Sequence, residues 1–384
     1  MTISLEQIFE RAKALAGRTA DFGREDYLPG LEVLVDAAAS SPHACDALDN
    51  KILQYAAQVL AMRASSEAAS KAAPECLAQP LAPQLVVIGL PRSGTTALHQ
   101  ILATDASYQW MPSWLTFRPH PRPPRADWDG DPVYRDRATA YIVEGPNPLH
   151  EVAPEDPEEC ILVMQQSFMT MTWVSSFAVP EYHEWFIEQD ERPSYLRYAD
   201  NLRLMANGDT KSTWLLKNPS HTFGFAAMLD IFPNATFLHI HRDPVSSIVS
   251  GCSLVASMAG SEGFFTASEL GKHRLRIWSL AAERMEAARE ANPTRKIIDI
   301  DYRAFIADPV ATVKGIYAEL GRTHSRDTID AMEAWVRDRP RDRHGKHRYA
   351  AEDFGLTAEV IRDRMAGYIE RYGIDRPMAE PCGL

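Results

Sequence analysis

The apolar positions of the first 80 residues recur at helical spacing. Leu5, Ile8, Phe9, Ala12 and Leu15 form one stripe, Leu31, Leu34 and Val35 a second, and Ile52, Leu53, Ala56, Val59 and Leu60 a third. Residues three and four apart share a helix face, so this stretch reads as a helical lead-in rather than an independent domain. Segment 68–83, rich in Ala and Pro, reads as a connector. The pattern then changes. Residues 85–88 are an unbroken apolar run, as expected of a strand buried on both faces of a parallel sheet. A helix is predicted over 95–104, with Ala97, Leu98, Ile101 and Leu102 on one stripe. Further strands are predicted at 213–216, 236–241 and 296–300. They lead into helix starts at Asn218-Pro219, Asp243-Pro244 and Asp308-Pro309, where Asn or Asp suits the N-cap and Pro the first helical position. The Pro- and Arg-rich segment 119–124 reads as loop, and the apolar segment 160–186 as helical.

Strands alternating with helices predict an α/β fold, a parallel sheet with helices on both faces, whose ligands lie outside the carboxyl ends of the strands. We divide the chain into the lead-in, 1–80, and an α/β domain, 81–384, with a helical insert around 150–210.

Composition narrows the classes. The chain has 384 residues, 45% hydrophobic and 24% charged, which are the proportions of a soluble globular protein. A net charge of -12 argues against a nucleic-acid partner, so any polyanion must be met by local basic groups. Ser4, Glu6 and Glu10 follow Met1 where a secretory signal would have a basic stretch and an apolar core. No apolar run approaches the length of a membrane span. The five cysteines (Cys45, Cys76, Cys160, Cys252 and Cys382) are scattered and odd in number, which suits reduced thiols in the cytoplasm.

The candidate chemistry begins at Gly89-Leu90-Pro91-Arg92-Ser93-Gly94-Thr95-Thr96. A glycine-bounded loop between a strand and a helix lets backbone N–H groups converge on a phosphate, and the helix N-terminus adds partial positive charge. The nucleotide-hydrolase pattern G-x-x-x-x-G-K-[ST] puts Lys after the second Gly. Here Thr95 stands in that place, and the cation, Arg92, is inside the loop. A second anion site follows the strand ending in His239-Ile240-His241. Arg242 leaves it at the ligand edge, and Ser250 lies two helical turns on. A guanidinium fork with a hydroxyl suits a terminal phosphate. Two anion sites on one sheet edge fit a nucleotide phosphorylated at two positions.

The pairing of this loop with Arg242-Asp243-Pro244 and Ser250 resembles the sulfotransferase family, whose members use 3′-phosphoadenosine 5′-phosphosulfate as sulfuryl donor. The resemblance runs from Leu85 to Leu356 and implies a P-loop-like three-layer αβα fold. It also implies that Arg92, Ser93, Gly94, Thr95 and Thr96 bind the 5′ end of the donor and that Arg242 and Ser250 bind its 3′-phosphate. Cytosolic members usually carry Lys where this chain has Arg92; many bacterial members and the tyrosylprotein type carry Arg. Arg337, Arg339, Arg341, Arg343, Lys346 and Arg348 form a basic run in an otherwise acidic chain. The resemblance implies a nucleotide-covering C-terminal segment around 337–357: residues 345–349 and 353–356 resemble the part that folds over the nucleotide in bacterial members, which makes Lys346, Arg348 and Tyr349 candidate ligands. The alternative is a solvated charge run.

Sulfuryl transfer needs positioning, a cation near the leaving oxygen and a base for the acceptor proton. A sulfuryl group carries less charge than a phosphoryl group, so no metal is expected. Lys217 and His221 are candidates for the cation and the base. Cytosolic members have a Lys and a His separated by one residue at this place; here the two are four apart. Arg92 is a second candidate for the leaving group. Glu151 and Glu155 are rival bases, within an acidic stretch that continues to Glu158-Glu159. The tyrosylprotein type has a Glu soon after the phosphate loop, but the stretch 109–114 has no carboxylate.

The Met- and aromatic-rich segment 161–186 reads either as core or as the wall of a hydrophobic acceptor site. His239 and His241 share a strand face with Phe237 and read as packed residues, since no third metal ligand is spaced for them. The expectation is therefore an enzyme moving a sulfuryl group from 3′-phosphoadenosine 5′-phosphosulfate to a hydroxyl or amine of a small acceptor. It would leave 3′,5′-bisphosphoadenosine. The alternatives are a P-loop small-molecule kinase, which would want Lys at position 95, and a nucleotide-binding member that has lost catalysis.

Overall fold

The computed structural model describes residues 3–144, 152–259, 264–339 and 350–374. Its centre is a five-stranded sheet in the order β2-β3-β1-β4-β5. The strands are β1 Gln84–Ile88, β2 Tyr108–Gln109, β3 Thr213–Lys217, β4 Thr236–His241 and β5 Ile297–Asp301. Every neighbouring pair is parallel, so each return of the chain needs a crossover, and helices cover both faces.

Alternate residues of a strand point to opposite faces, and they sort into two cores. Val86, Ile88, Trp214, Leu216 and Phe237 pack with Tyr195, Tyr198, Phe225 and Met228. Leu85, Val87, Leu215, Leu238 and Ile240 pack with Leu98, Ile101, Phe305 and Ile316. This is a three-layer αβα arrangement. β1 lies between β3 and β4, with Val87 level with Lys217 and Ile88 level with His239. The chain turns to one side of β1 and later to the other, which opens a crevice beyond its carboxyl end.

The structure differs from the sequence expectation in three places. β2 has two residues, too few for an apolar pattern. The lead-in helices are α1 Leu5–Ala16, α2 Leu28–Ser40 and α3 Asp46–Ala72. α3 runs on into the predicted connector, because Ala is the strongest helix former, and a new short helix starts at Pro74. The segment expected to be helical over 160–186 breaks into short pieces, including Ile161–Met164, Met171–Ser176 and Pro180–Ile187. Phe168 interrupts it with φ of 53°, and Pro180 restarts it.

Most of that segment is core. Phe168, Trp173 and Phe177 stack with ring centroids 4.6 and 5.8 Å apart. They share one cluster with Ile8, Leu31, Ile52 and Val59 of the lead-in and with Trp278, Phe354 and Tyr368. Among the described residues no helix is long and apolar enough to cross a membrane.

Buried histidines give the fold a pH dependence. Burial pushes the imidazoles of His99, His183 and His221 down to about 3, about 4 and about 3. In the unfolded chain they titrate near ~6.5, so the unfolded state binds more protons below that pH. Stability is then complete above about pH 6.5 and falls as pH drops toward the folded values. At about pH 5 each histidine removes about 2 kcal/mol. Denaturant midpoints should fall between pH 7 and 5, and His221→Gln should flatten the slope; equal midpoints across this range refute the assignment.

Candidate active site

The 89–96 loop leaves β1 with its backbone already committed. Gly89 has φ of 149°, and a Cβ there would stand 2.5 Å from the carbonyl oxygen of Ile240. Ser93 closes the turn: its N–H donates to Leu90 O at 3.2 Å and its Oγ to the same oxygen at 2.6 Å. Gly94, with φ of 93°, stands before the helix Thr95–Leu102, and no side chain caps that helix. A Cβ on Gly94 would meet the Tyr302 ring at 3.1 Å. The first-turn N–H groups of a helix lack intrahelical partners, so the loop presents them as an anion cradle. Arg92 is exposed, with φ of 65°.

One flank of the loop carries the second anion motif. Arg242 continues from β4, donates through Nη1 to the Arg92 carbonyl, and lies with its guanidinium 4.4 Å from the Tyr302 ring centroid. Asp243 starts the helix Pro244–Ala259 by accepting from the N–H groups of Val245 and Ser246. That helix carries Ser250, whose Oγ accepts from Arg92 Nε at 3.3 Å. Residues 150 positions apart in sequence therefore form one cationic, hydroxyl-bearing patch.

The other flank is built by Lys217, the last residue of β3. Its Nζ donates to Thr96 Oγ1 at 3.0 Å and to the Glu159 carboxylate. Lys217 is 1% exposed and Glu159 19%. The backbone holds Glu159 there. The Cys160 N–H donates to Lys217 O at 3.0 Å, and the Glu158 N–H donates to Met111 O at 2.8 Å. Ser113 Oγ donates to the Glu158 carboxylate at 3.0 Å. Glu159 was not among the favoured bases; no spacing marks it, because its neighbour Lys217 lies 58 residues on.

The other predicted residues lie elsewhere. His221 is fully buried, its Nδ1 is 3.0 Å from Tyr195 Oη, and the rings of Tyr195 and Tyr198 flank it. Burial holds its imidazole down to about 3, and its Nε2 has no hydrogen-bond partner among the described residues. Glu155 accepts from Tyr134 Oη. Glu151, Lys346, Arg348 and Tyr349 lie outside the described residues.

His239 and His241 have a third neighbour that spacing did not reveal. Asp299 of β5 brings a carboxylate oxygen within 4.8 Å of ring nitrogens of both. Arg289 already bonds both oxygens of that carboxylate, and His241 Nε2 lies 2.9 Å from one of them. The group is an ion-paired network under the sheet edge.

A cavity of about 730 Å³ opens between α3 and the insert, lined by Gln54, Tyr55, Ile161, Phe177, Val255 and Phe264 among others. Ile161 follows Glu159 by two residues, and Val255 follows Ser250 by five. The cleft's lining therefore lies within a few residues of chain from both flanks of the loop.

Residues 83–327 match the sulfotransferase family. The chain is 22% identical over 316 residues to omega-hydroxy-beta-dihydromenaquinone-9 sulfotransferase Stf3 of Mycobacterium bovis, covering 79% of this chain and 78% of the relative. Among solved structures, sulfotransferase STF1 from Mycobacterium tuberculosis H37Rv superposes with a TM-score of 0.85 at 32% identity, over 95% of this chain and 99% of that one. Sulfotransferase STF9 from Mycobacterium avium shares the fold, with a TM-score of 0.85 at 23% identity over 97% of each chain. The strand order, the anion loop and these matches agree: the chain belongs to the sulfotransferase family and is an enzyme that transfers sulfuryl groups.

Proposed function

We propose that this enzyme takes its sulfuryl group from 3′-phosphoadenosine 5′-phosphosulfate and passes it, without a metal, to a hydroxyl or amine of a small hydrophobic acceptor. The observation that carries this reading is the contact of Arg92 with both Ser250 and Arg242, which joins two anion motifs into one site. The donor supplies an activated sulfuryl group on a leaving phosphate. The uncapped helix start after Gly94, whose positive φ turns the loop into the helix, fits that phosphate end.

In this reading Arg92, Ser93, Gly94, Thr95 and Thr96 bind the 5′ end, while Arg242 and Ser250 bind the 3′-phosphate. Lys217 Nζ, beside Thr96 Oγ1, stabilises charge on the leaving oxygen together with Arg92. Glu159 is the half-buried carboxylate next to Lys217, and it accepts the acceptor's proton at its free oxygen. The apolar walls of the cleft and the omega-hydroxy-beta-dihydromenaquinone-9 named for the Stf3 relative both support a hydrophobic acceptor. The free thiols of Cys45, Cys76, Cys160 and Cys252 support a cytoplasmic setting.

Calorimetry with 3′,5′-bisphosphoadenosine tests the donor. Tight binding that ignores Mg²⁺ is expected; no binding with or without Mg²⁺ defeats the proposal. Arg242→Ala should weaken this ligand about 30-fold, the worth of a charge-assisted contact, and leave adenosine 5′-phosphate nearly unchanged. Equal losses for both ligands would show that Arg242 does not read the 3′-phosphate.

A further inference from the structure

Arg274 is a buried cation with no anion paired to it among the described residues. It sits on the helix Ala267–Ala291 and is 5% exposed. Its Nη1 donates to Ser175 Oγ at 3.0 Å, and its Nε has no hydrogen-bond partner among the described residues. Its Nη2 lies 3.6 Å from where a Cβ on Gly251 would stand, and the Trp278 ring centroid is 5.3 Å from the guanidinium. Other arginines buried to the same degree are paired: Arg63 with Asp26 at 2.6 Å, and Arg197 with Glu67. A guanidinium opposite one neutral hydroxyl is an expensive group to bury, and among the described residues the Trp278 ring offsets only part of that cost. Desolvation pulls its pKa down to about 10, so it stays charged at neutral pH.

Its single partner, Ser175, lines the 730 Å³ cleft. The walls beside Ser175 are apolar, from Phe177, Val255 and Phe264. Across the cleft α3 presents Asn50, Lys51 and Gln54, so the charge-preference test must lose its signal on changing Arg274 with Lys51 intact. A long apolar ligand would therefore pass a desolvated positive charge screened by one small hydroxyl.

We propose that the cleft takes an amphipathic acceptor whose apolar chain carries an acidic group, and that Arg274, with Ser175, is the specificity residue that reads that group. This rests on the reading of the cleft as the acceptor site. A carboxylate reaching Ser175 gives the guanidinium the charged partner it lacks, through N–H donors held in a fixed fork. The neighbouring position of Gly251, one residue after Ser250, offers a competing role in which Arg274 reads the nucleotide; the experiment separates the two.

The probes are decanoate and decanol, titrated into the full chain at neutral pH, with and without saturating 3′,5′-bisphosphoadenosine. Decanoate should bind about 10- to 100-fold tighter than decanol, the range of a hydrogen bond to a charged group. Arg274→Met should erase this preference, Arg274→Lys should keep part of it, and neither should change the affinity for 3′,5′-bisphosphoadenosine. Equal binding of the two probes, no binding of either, or a preference that survives Arg274→Met overturns the proposal. A loss of nucleotide affinity in Arg274→Met as large as the loss of decanoate affinity also overturns it, in favour of a nucleotide role. Should Arg274→Met fail to fold, Arg274→Lys must still reduce the preference and Ser175→Leu must abolish it; a preference untouched by both overturns the proposal. Preferential decanoate binding in a chain that ignores 3′,5′-bisphosphoadenosine would defeat the proposed donor and leave this inference standing.

Discussion

Replacing Lys217 by methionine is expected to lower turnover about 10³-fold, the cost of removing one preorganised donor to a developing oxyanion. The affinity for 3′,5′-bisphosphoadenosine should change less than about tenfold, because the loop and Arg242 keep their contacts. Methionine keeps the apolar stem of the buried side chain and loses the ammonium. The abandoned Glu159 is 19% exposed and reaches water, so the variant escapes the penalty of a stranded buried charge.

Glu159→Gln separates two roles for its carboxylate. As the base, its loss lowers single-turnover transfer about 10²-fold or more. If it only steadies Lys217, the loss stays within about tenfold. Measuring transfer of labelled sulfuryl groups in both variants decides between these roles. Full turnover by Lys217→Met would remove that residue from the reaction.

The second large effect belongs to Gly89→Ala. A methyl group at this position would stand 2.5 Å from Ile240 O and 2.9 Å from Ser93 Oγ. The first neighbour is backbone of β4, the strand paired with β1, so it cannot swing aside as a side chain would. The positive φ adds its own strain to the clash. Together they should destabilise the protein by about 3 kcal/mol. The shift falls where the anion cradle starts, so affinity for 3′,5′-bisphosphoadenosine should fall with it.

Gly315→Ala is the matched control. That residue lies in the helix Pro309–Leu320 with nothing within 4 Å of a new Cβ. There alanine should stabilise by about 0.5–1 kcal/mol. Denaturant midpoints for the two variants give the contrast, and an unchanged midpoint for Gly89→Ala would mean that β1 and β4 can yield.

The parts of the site that sequence made legible are those written into short stretches. The apolar run into β1, the loop glycines and the Asp-Pro and Asn-Pro helix starts each depend on neighbours within a few residues, and all fall where the pattern puts them. Ser250 needed one further inference, that two helical turns return it to the sheet edge. Glu159 was not legible as a partner of Lys217 because a backbone bond from Cys160 to the end of β3 puts it there. The same holds for Asp299, whose place beside His239 and His241 comes from strand pairing. His221 illustrates the reverse: its position after β3 is correct, yet Tyr195 and Tyr198 from the insert enclose it. Burial, which depends on the whole fold, decides whether such a residue can exchange a proton.

The helix α3 turns two faces to different tasks. Ile52, Ala56 and Val59 lock it into the common core, while Asn50, Gln54 and Gln58 border the cleft. The anion loop draws none of its residues from this helix. On the proposed assignment of cleft and loop, drift along the cleft face would retune which molecule is modified while leaving the grip on the donor intact, so the lead-in would give the lineage a place to diversify without surrendering its chemistry.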